Sequence, residues 1–583
     1  MTKTKLNILS KDAIIKDELA TAAAERLAAD TKEKFKVLFF YPNEPMVGLP
    51  PSNMAILSAC LKKAGFDVKL FDCTLYKSIK YVANADLPYH SPTQDEIRDS
   101  LGHTKKSAIK DYVQLKESNV YSDFADMVED YKPDLIAISI VDSTIHFSYK
   151  FLDQIRGKRP PILMGGTGAT FGADKILNSG YVDFVCAGEG EGALVELCER
   201  LSRNEDCTNV KNIYLKDKNG EIIKNPQRPV TDLDALPMPD FSIYDNQRFY
   251  RPFMGKVVRG MWIDWDRGCP YQCSYCAAPA LLRNAREQKI GKYYRVKSEE
   301  TIFREMKFLV KEYKLDFIYL SSETLLIIKL EKFKRIMKRY KEEINLPFWC
   351  QSRLDSFTEE RTKLLKEAGC QSTSVGLEHG NEQMRTKLLR KMLKNDKVYE
   401  GFKVLAKYNI RPTINSMLGM PDETREHVFD TFEMNRNISK ILKGNHNMNV
   451  FTFVPFSGTE LRRLSIEKGY VDPDEPVSFS FYKESMLTMP SMSKKEIAGL
   501  EKTAHLYIFL PKSRYPEIKI AEQDDEEGKE MFNKLMVDMK AIKAEYDALP
   551  GSLTAGDTGA PGGLPERAAQ GRDHLAKPGK DSL

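Results

Sequence analysis

Short apolar runs recur along the chain, and most are followed by a stretch whose apolar positions fall three and four residues apart. The first set of runs is Lys36–Tyr41, Asp67–Phe71, Leu135–Ile140, Ile162–Met164 and Asp183–Cys186, with helical patterns such as Asn53–Ala64 and Phe147–Arg156 between them. Strands alternating with helices predict a parallel sheet joined by crossovers. A second set follows at Met261–Asp266, Asp316–Leu320, Phe348–Arg353, Ser372–Leu377, Thr413–Leu418 and Val450–Val454. Six such strands predict an open, partial (β/α)6 barrel, whose sites lie at the C-terminal strand ends. The fold class is α/β, with two βα units in tandem.

Punctuation between the runs sets the expected boundaries. Residues 1–34 are charged and Ala-rich and read as a helical lead-in. The first unit takes 35–208, with a polar insertion over 74–130 that is too long for an ordinary crossover. Asn219-Gly220 between alternating runs predicts a hairpin, and Pro226, Pro229, Pro237 and Pro239 a linker, so 209–244 joins the units. The second unit takes 245–490, a helical C-terminal region 491–548, and the Gly-, Pro- and Ala-rich tail 549–583 predicts disorder.

Composition narrows the function classes. The 583 residues are 42% apolar and carry 88 basic against 83 acidic side chains, a net charge of +5. Basic residues are scattered and not gathered into a stripe, which argues against a nucleic-acid partner. No apolar run reaches the roughly 20 residues of a transmembrane segment. Ten cysteines without a secretory signal point to a reducing, cytoplasmic setting.

The chemistry concentrates at residues 267–276, Arg-Gly-Cys-Pro-Tyr-Gln-Cys-Ser-Tyr-Cys, directly after the first strand of the second unit. Cys269, Cys273 and Cys276 have the spacing Cys-x3-Cys-x2-Cys. Three thiolates on one loop can hold three irons of a 4Fe–4S cube and leave the fourth iron open for chemistry. A structural zinc site wants four ligands, and no fourth Cys or His stands nearby. This spacing resembles that of the radical S-adenosylmethionine (SAM) enzymes. The resemblance spans about residues 245–490. It implies that the open iron chelates SAM, and that an electron from the cluster splits the sulfonium to a 5′-deoxyadenosyl radical. Such a cube is oxygen-sensitive, so anaerobic handling is implied.

Further segments carry the same resemblance on successive strand ends. Tyr275 stands at the family's aromatic position and is expected to stack on adenine, with loop packing as its alternative. Ser321-Ser322-Glu323-Thr324 takes the place of a Gly-Gly-Glu segment, so Ser321 and Glu323 are assigned to SAM, Glu323 to its ammonium. Arg353 is offered to the ribose or carboxylate. Val375-Gly376-Leu377-Glu378-His379-Gly380 resembles Gly-Ile-Glu-Ser-Gly, which assigns Glu378 to SAM, while His379 is expected at the surface. Met417–Thr424 resembles a Gly-x-Pro-Gly-Glu-Thr turn, with Asp422 in place of Gly. Phe453–Thr459 resembles a Pro-x-x-Gly-Thr segment, with Val454 and Pro455 near the adenine.

The first unit resembles the Rossmann-like cobalamin-binding domain that precedes many radical SAM domains. The cofactor-side pieces are Pro51 and Met54, Ser139 at the end of a strand, then Gly165, Gly166, Thr167 and Gly168, and last Gly188, Glu189 and Gly190. Glycines at strand ends let the backbone approach a large flat ligand, and small polar side chains cap its nucleotide tail. The loop after the first strand holds no His, so the lower cobalt face is expected without a His ligand. His146 is expected at a surface helix start.

Together the resemblances imply three cofactors, a 4Fe–4S cluster, SAM and cobalamin. The implied activity is methyl transfer from methylcobalamin to an unactivated carbon after hydrogen abstraction by the adenosyl radical. The implied partners are a small-molecule, natural-product or lipid substrate and an electron donor such as flavodoxin or ferredoxin. A non-methylating relative, like the anaerobic magnesium-protoporphyrin ester cyclase, shares this layout. A corrinoid sensor is the third reading. Phe479–Tyr482 could face a flat substrate, with core packing as its alternative.

Overall fold

The computed structural model describes residues 34–43, 48–77, 109, 111–254, 256–477 and 484–547. The strands are β1 Lys36–Tyr41, β2 Asp67–Asp72, β3 Leu135–Ser139, β4 Ile162–Gly165, β5 Phe184–Cys186, β6 Ile213–Lys216, β7 Ile222–Lys224, β8 Tyr250–Phe253, β9 Lys256–Ile263, β10 Asp266–Arg267, β11 Arg295–Val296, β12 Phe317–Leu320, β13 Phe348–Gln351, β14 Cys370–Glu378, β15 Arg411–Leu418 and β16 Asn447–Thr452. The helices are α1 Ser52–Lys63, α2 Val120–Tyr131, α3 Ile145–Leu152, α4 Thr167–Asn178, α5 Glu191–Ser202, α6 Ala278–Glu287, α7 Glu299–Glu312, α8 Leu330–Glu343, α9 Glu359–Ala368, α10 Asn395–Lys407, α11 Arg425–Leu442, α12 Glu460–Glu467, α13 Lys494–Phe509, α14 Tyr515–Ala521 and α15 Glu526–Asp547.

The first sheet runs β2-β1-β3-β4-β5-β6-β7, with β1 to β5 parallel and the hairpin β6–β7 antiparallel at one edge. Its central strands are apolar at consecutive positions because helices cover both faces. In β1 the period of two sends Leu38 and Phe40 to one face and Val37 and Phe39 to the other. Phe40 packs with Phe151 at 4.7 Å and Phe124 at 4.9 Å in an aromatic core. Val37 and Phe39 belong to a core that continues into the second sheet. The strand order reverses between β1 and β3, which opens a crevice at their carboxyl ends.

The second sheet runs β16-β15-β14-β13-β12-β9-β8. Six of its strands are parallel, and β8 adds an antiparallel edge that the hydropathy pattern does not disclose. The run expected at Met261–Asp266 divides: β9 ends at Ile263, and Asp266–Arg267 pairs separately with Arg295–Val296. The insertion expected over 74–130 is shorter, because α2 is the crossover between β2 and β3. Residues 1–33, the tail and the whole of Phe479–Tyr482 lie outside the described residues. Helix α13 leans on β16, where His505 Nε2 lies 3.2 Å from the Met448 carbonyl. No helix among the described residues is long and apolar enough to cross a membrane.

The two sheets meet along the ends that carry their sites. Arg248, fully buried, donates to Asp72 at 2.8 Å and to the Gly48 carbonyl at 3.2 Å. Asp142, after β3, accepts the Ser457 N–H at 2.5 Å. Ser52, at the start of α1, donates to Asp264 beyond β9.

Candidate active site

Cys269, Cys273 and Cys276 are free thiols, half-buried on the loop between β10 and α6. That loop is held from three sides through Ser274. Its hydroxyl donates to the Leu388 carbonyl at 2.6 Å, its N–H to the Leu389 carbonyl at 3.0 Å, and its carbonyl accepts the Leu461 N–H at 3.0 Å. Leu388 ends a π-helical turn, Met384–Leu388, a departure that tends to mark functional sites. Burial pushes the Cys269 thiol up to about 11 and the Cys276 thiol up to about 12. Iron must therefore displace their protons as it binds. Among the described residues no three His, Cys, Asp or Glu side chains close on a single ion. Three free thiols on one pinned loop fit a multi-iron group with one iron left open.

Around this loop stand the other residues assigned to SAM. Ser321 follows β12 and is half-buried, and its N–H donates to the Ile263 carbonyl at 3.1 Å. Glu323 is exposed to the cleft and has no ion-pair partner among the described residues. Burial of its carboxyl end, then Asp264, raise its pKa, so an incoming ammonium would find an uncompensated carboxylate. Asp266 is pushed up to about 7, by burial first and then by Asp264 and Glu323, against the Ser322 hydroxyl. Arg353 is buried and already paired with Asp355 at 2.9 Å, its guanidinium 4.1 Å over the Tyr271 ring. Val454 and Pro455 are buried after β16.

Glu378 ends β14 at φ +67°, in the left-handed region that non-glycine residues rarely adopt. One carboxylate oxygen accepts both the Tyr275 hydroxyl and the Lys391 ammonium, each at 3.0 Å. Gly376 leaves room for this arrangement, since a Cβ there would lie 1.8 Å from that oxygen and the Glu378 carboxylate would have to move. Burial, then Glu378, raise the Tyr275 phenol well above its usual value, so it remains a donor. Lys391 and Ser274 escaped the sequence reading, because nothing local marks a lysine or a serine for such contacts.

His379 corrects an expectation. It is fully buried, not at the surface, and its Nε2 lies 2.8 Å from Glu423, also fully buried. His379 Nδ1 accepts the Asn381 N–H at 2.9 Å, so Nε2 carries the proton. Glu423 also accepts the N–H groups of Gly419 and Met420. The turn after β15 is thereby locked to the turn after β14.

The residues assigned to cobalamin line the carboxyl edge of the first sheet. Asn53 donates to Ser139 at 3.0 Å and bridges the crevice. Thr167 is exposed, and Gly165, Gly188 and Gly190 are half-buried. Gly166, at φ +107°, and Gly168 are required by their own loop, since a Cβ on either would strike the backbone after β3. Helices α4 and α5 start here without side-chain caps, so their first N–H groups are free to meet a polar ligand, whereas in the first turn of α1 the Met54 N–H is taken by the Asn53 side chain at 2.8 Å. Pro51 offers its carbonyl to Tyr244, and Met54 is buried in the core. The Glu189 carboxylate is engaged by Arg267, Arg295 and the Thr231 N–H. His146 is exposed at the start of α3. This edge fits a large ligand with a phosphate-bearing tail.

Known proteins converge on the same reading. Residues 266–434 match the radical SAM superfamily, and residues 108–198 match the B12 binding domain. The chain therefore carries a radical SAM domain preceded by a B12-binding domain. It is similar to an uncharacterized methyltransferase of Pyrococcus horikoshii, 25% identical over 68% of this chain and 83% of that protein. It is 22% identical to the cytidylyl-2-hydroxyethylphosphonate methyltransferase of Streptomyces wedmorensis, over 81% of this chain and 89% of that one. It is 21% identical to the anaerobic magnesium-protoporphyrin IX monomethyl ester cyclase of Rubrivivax gelatinosus, over 72% of this chain and 69% of that one. Two solved structures share the fold. TsrM from Kitasatospora setae, with cobalamin and a 4Fe–4S cluster bound, superposes with a TM-score of 0.54 at 14% identity, over 87% of this chain and 100% of that one. OxsB, with aqua-cobalamin and SAM bound, gives 0.56 at 14% identity, over 88% of this chain and 72% of that one.

Proposed function

We propose that the chain is a cobalamin-dependent radical SAM methyltransferase that acts on an unactivated carbon of a small-molecule, natural-product or lipid substrate, with electrons from a flavodoxin or ferredoxin. The observation that carries this reading is the meeting of two sheets at their carboxyl edges. Three free thiols stand on one side, and a glycine-rich edge with uncapped helix starts stands on the other. Two methyltransferases among the relatives support it. The cluster would supply the electron that splits SAM, SAM the radical and the methyl group, and cobalamin the carrier that hands the methyl on.

The chain's own residues have separate tasks. Cys269, Cys273 and Cys276 bind iron. Glu323 receives the SAM ammonium. Tyr275 and Glu378, held by Lys391, border the adenosyl group with Ser321, Arg353, Val454 and Pro455. Ser139, Thr167 and the glycines at 165, 166, 168, 188 and 190 bound the corrin and its tail. Docking of the two sheets supplies the proximity that two-cofactor chemistry needs.

Anaerobic reconstitution with cobalamin, reductant and methyl-labelled SAM tests the proposal. 5′-Deoxyadenosine together with S-adenosylhomocysteine is expected. The similarity to the ester cyclase of Rubrivivax gelatinosus favours a second reading, ring closure without methyl transfer. 5′-Deoxyadenosine without S-adenosylhomocysteine would replace the first reading by the second. Tight corrin binding with neither product would sink both.

A further inference from the structure

Four charged side chains link the two domains beside the cluster loop. Glu189 lies in the Gly-Glu-Gly loop between β5 and α5, and Glu191 opens α5. Arg267 and Arg295 face each other across the two-residue ladder of β10 and β11. Arg267 reaches Glu189 at 3.1 Å and Glu191 at 2.8 Å. Arg295 also binds Glu189, whose second oxygen accepts the Thr231 N–H at 2.7 Å. Among the described residues the Arg295 side chain has no other anchor, since its Nε and Nη1 are buried without a hydrogen-bond partner.

Arg267 stands two residues before Cys269, and the intervening residue transmits its position. Gly268 sits at φ +91°, where a Cβ would lie 2.8 Å from the Tyr293 carbonyl and 2.9 Å from the Tyr293 ring. The turn between Arg267 and Cys269 is thus packed against Tyr293, two residues before Arg295, and leaves no room for a side chain. The first cluster thiol is therefore fixed relative to β10, and β10 is fixed by two carboxylates of the other domain.

We infer that Glu189, Glu191, Arg267 and Arg295 form a positioning clamp that sets the spacing between the cluster loop and the carboxyl edge of the first sheet. The inference rests on the proposed function for its catalytic meaning, but not for its structural content. Glu189 acts through Arg267 and Arg295, which with the Thr231 N–H occupy its two carboxylate oxygens.

The test uses the full chain with Glu189→Gln, Glu191→Gln, Arg267→Gln and Arg267→Lys. Hydrogen exchange on the apoprotein is read first. Glu189→Gln removes charge in one domain, and exchange at residues 266–269 and 293–296 in the other is expected to accelerate about tenfold or more. Arg267→Gln is expected to do the same at residues 187–191, and Arg267→Lys to restore part of the protection. On protein loaded with cluster and hydroxocobalamin, corrin content and the cluster EPR signal are expected to persist. The ratio of S-adenosylhomocysteine to 5′-deoxyadenosine is expected to fall about 10- to 100-fold, the scale of an ångström-sized misplacement. Methyl donation needs the cobalt near SAM, whereas SAM cleavage needs the cluster alone.

Exchange that stays confined to the mutated domain would overturn the clamp. So would loss of corrin from Glu189→Gln with residues 266–269 still protected, because Glu189 would then be a corrin ligand. If the parent protein binds no corrin, the proposed function fails, and the exchange data still decide the clamp.

Discussion

Replacing Glu423 by Gln, nearly isosteric, is expected to destabilise the second domain by about 2–4 kcal/mol. Three donors converge on this carboxylate, which is fully buried: the backbone N–H groups of Gly419 and Met420, and His379 Nε2–H at 2.8 Å. A carboxylate accepts from all three, whereas an amide has one oxygen and two donors of its own. Turned one way, the amide NH2 faces the imidazole proton. Turned the other way, it faces two backbone N–H groups. The imidazole cannot switch tautomer to help, because Nδ1 already accepts the Asn381 N–H at 2.9 Å. One stranded buried donor costs about 1–3 kcal/mol, and losing the charge-assisted bonds adds about another 1 kcal/mol. Urea unfolding followed by tryptophan fluorescence reads the right region, since the three tryptophans, Trp262, Trp265 and Trp349, all lie in or beside β9 and β13. With a slope of about 3 kcal/mol per molar urea, the midpoint should fall by about 1 M. A midpoint within about 0.2 M of the parent would refute the reasoning, as would additive effects of Glu423→Gln and His379→Ala in a double-mutant cycle.

Each of Cys269→Ala, Cys273→Ala and Cys276→Ala should reduce cluster absorbance and 5′-deoxyadenosine to background after anaerobic reconstitution, and turnover surviving any one of them would exclude the assigned ligands. Asp266 titrates near 7 in the folded chain, against 3.8 ordinarily. Its contribution to stability is therefore full below pH 4 and lost as pH rises to about 7, a loss of up to about 4 kcal/mol. Asp266→Asn should remove that loss, so apoprotein melts of parent and variant should agree near pH 4 and diverge at pH 8 with the variant higher; parallel curves would count against it. Gly458 sits at φ +76° with the Phe171 ring 2.7 Å from where a Cβ would stand. Gly458→Val should loosen the domain contact at a strain of about 2–5 kcal/mol, read as faster proteolysis of the 226–241 linker. An unchanged cleavage rate would show the contact to be dispensable.

The sequence discloses what local pattern controls. β1 and β3 are apolar at successive positions because both faces are covered, so their runs stand out. The cluster loop is legible because its three cysteines are neighbours in the chain. Strand β8 is not legible, since Tyr250-Arg251-Pro252-Phe253 is half-buried without alternation, and its Pro252 is tolerated only because the strand lies at an edge. The burial of His379 is hidden for a different reason: its partner Glu423 lies 44 residues away. Glu189 stands out in the sequence by its local Gly-Glu-Gly setting, while its partner Arg295 is 106 residues distant and leaves no local mark. The first pairing exists only once β14 and β15 lie side by side, and the second only once the two sheets have docked.

The second sheet never closes on itself. At one end β8 turns antiparallel, and at the other α13 stands against β16, so no hydrogen-bonded seam joins the two rims. The result is a trough with a fixed floor of chemistry and an undetermined roof. Loops at the carboxyl ends of the strands can then be exchanged to suit larger or smaller molecules without disturbing the strands themselves.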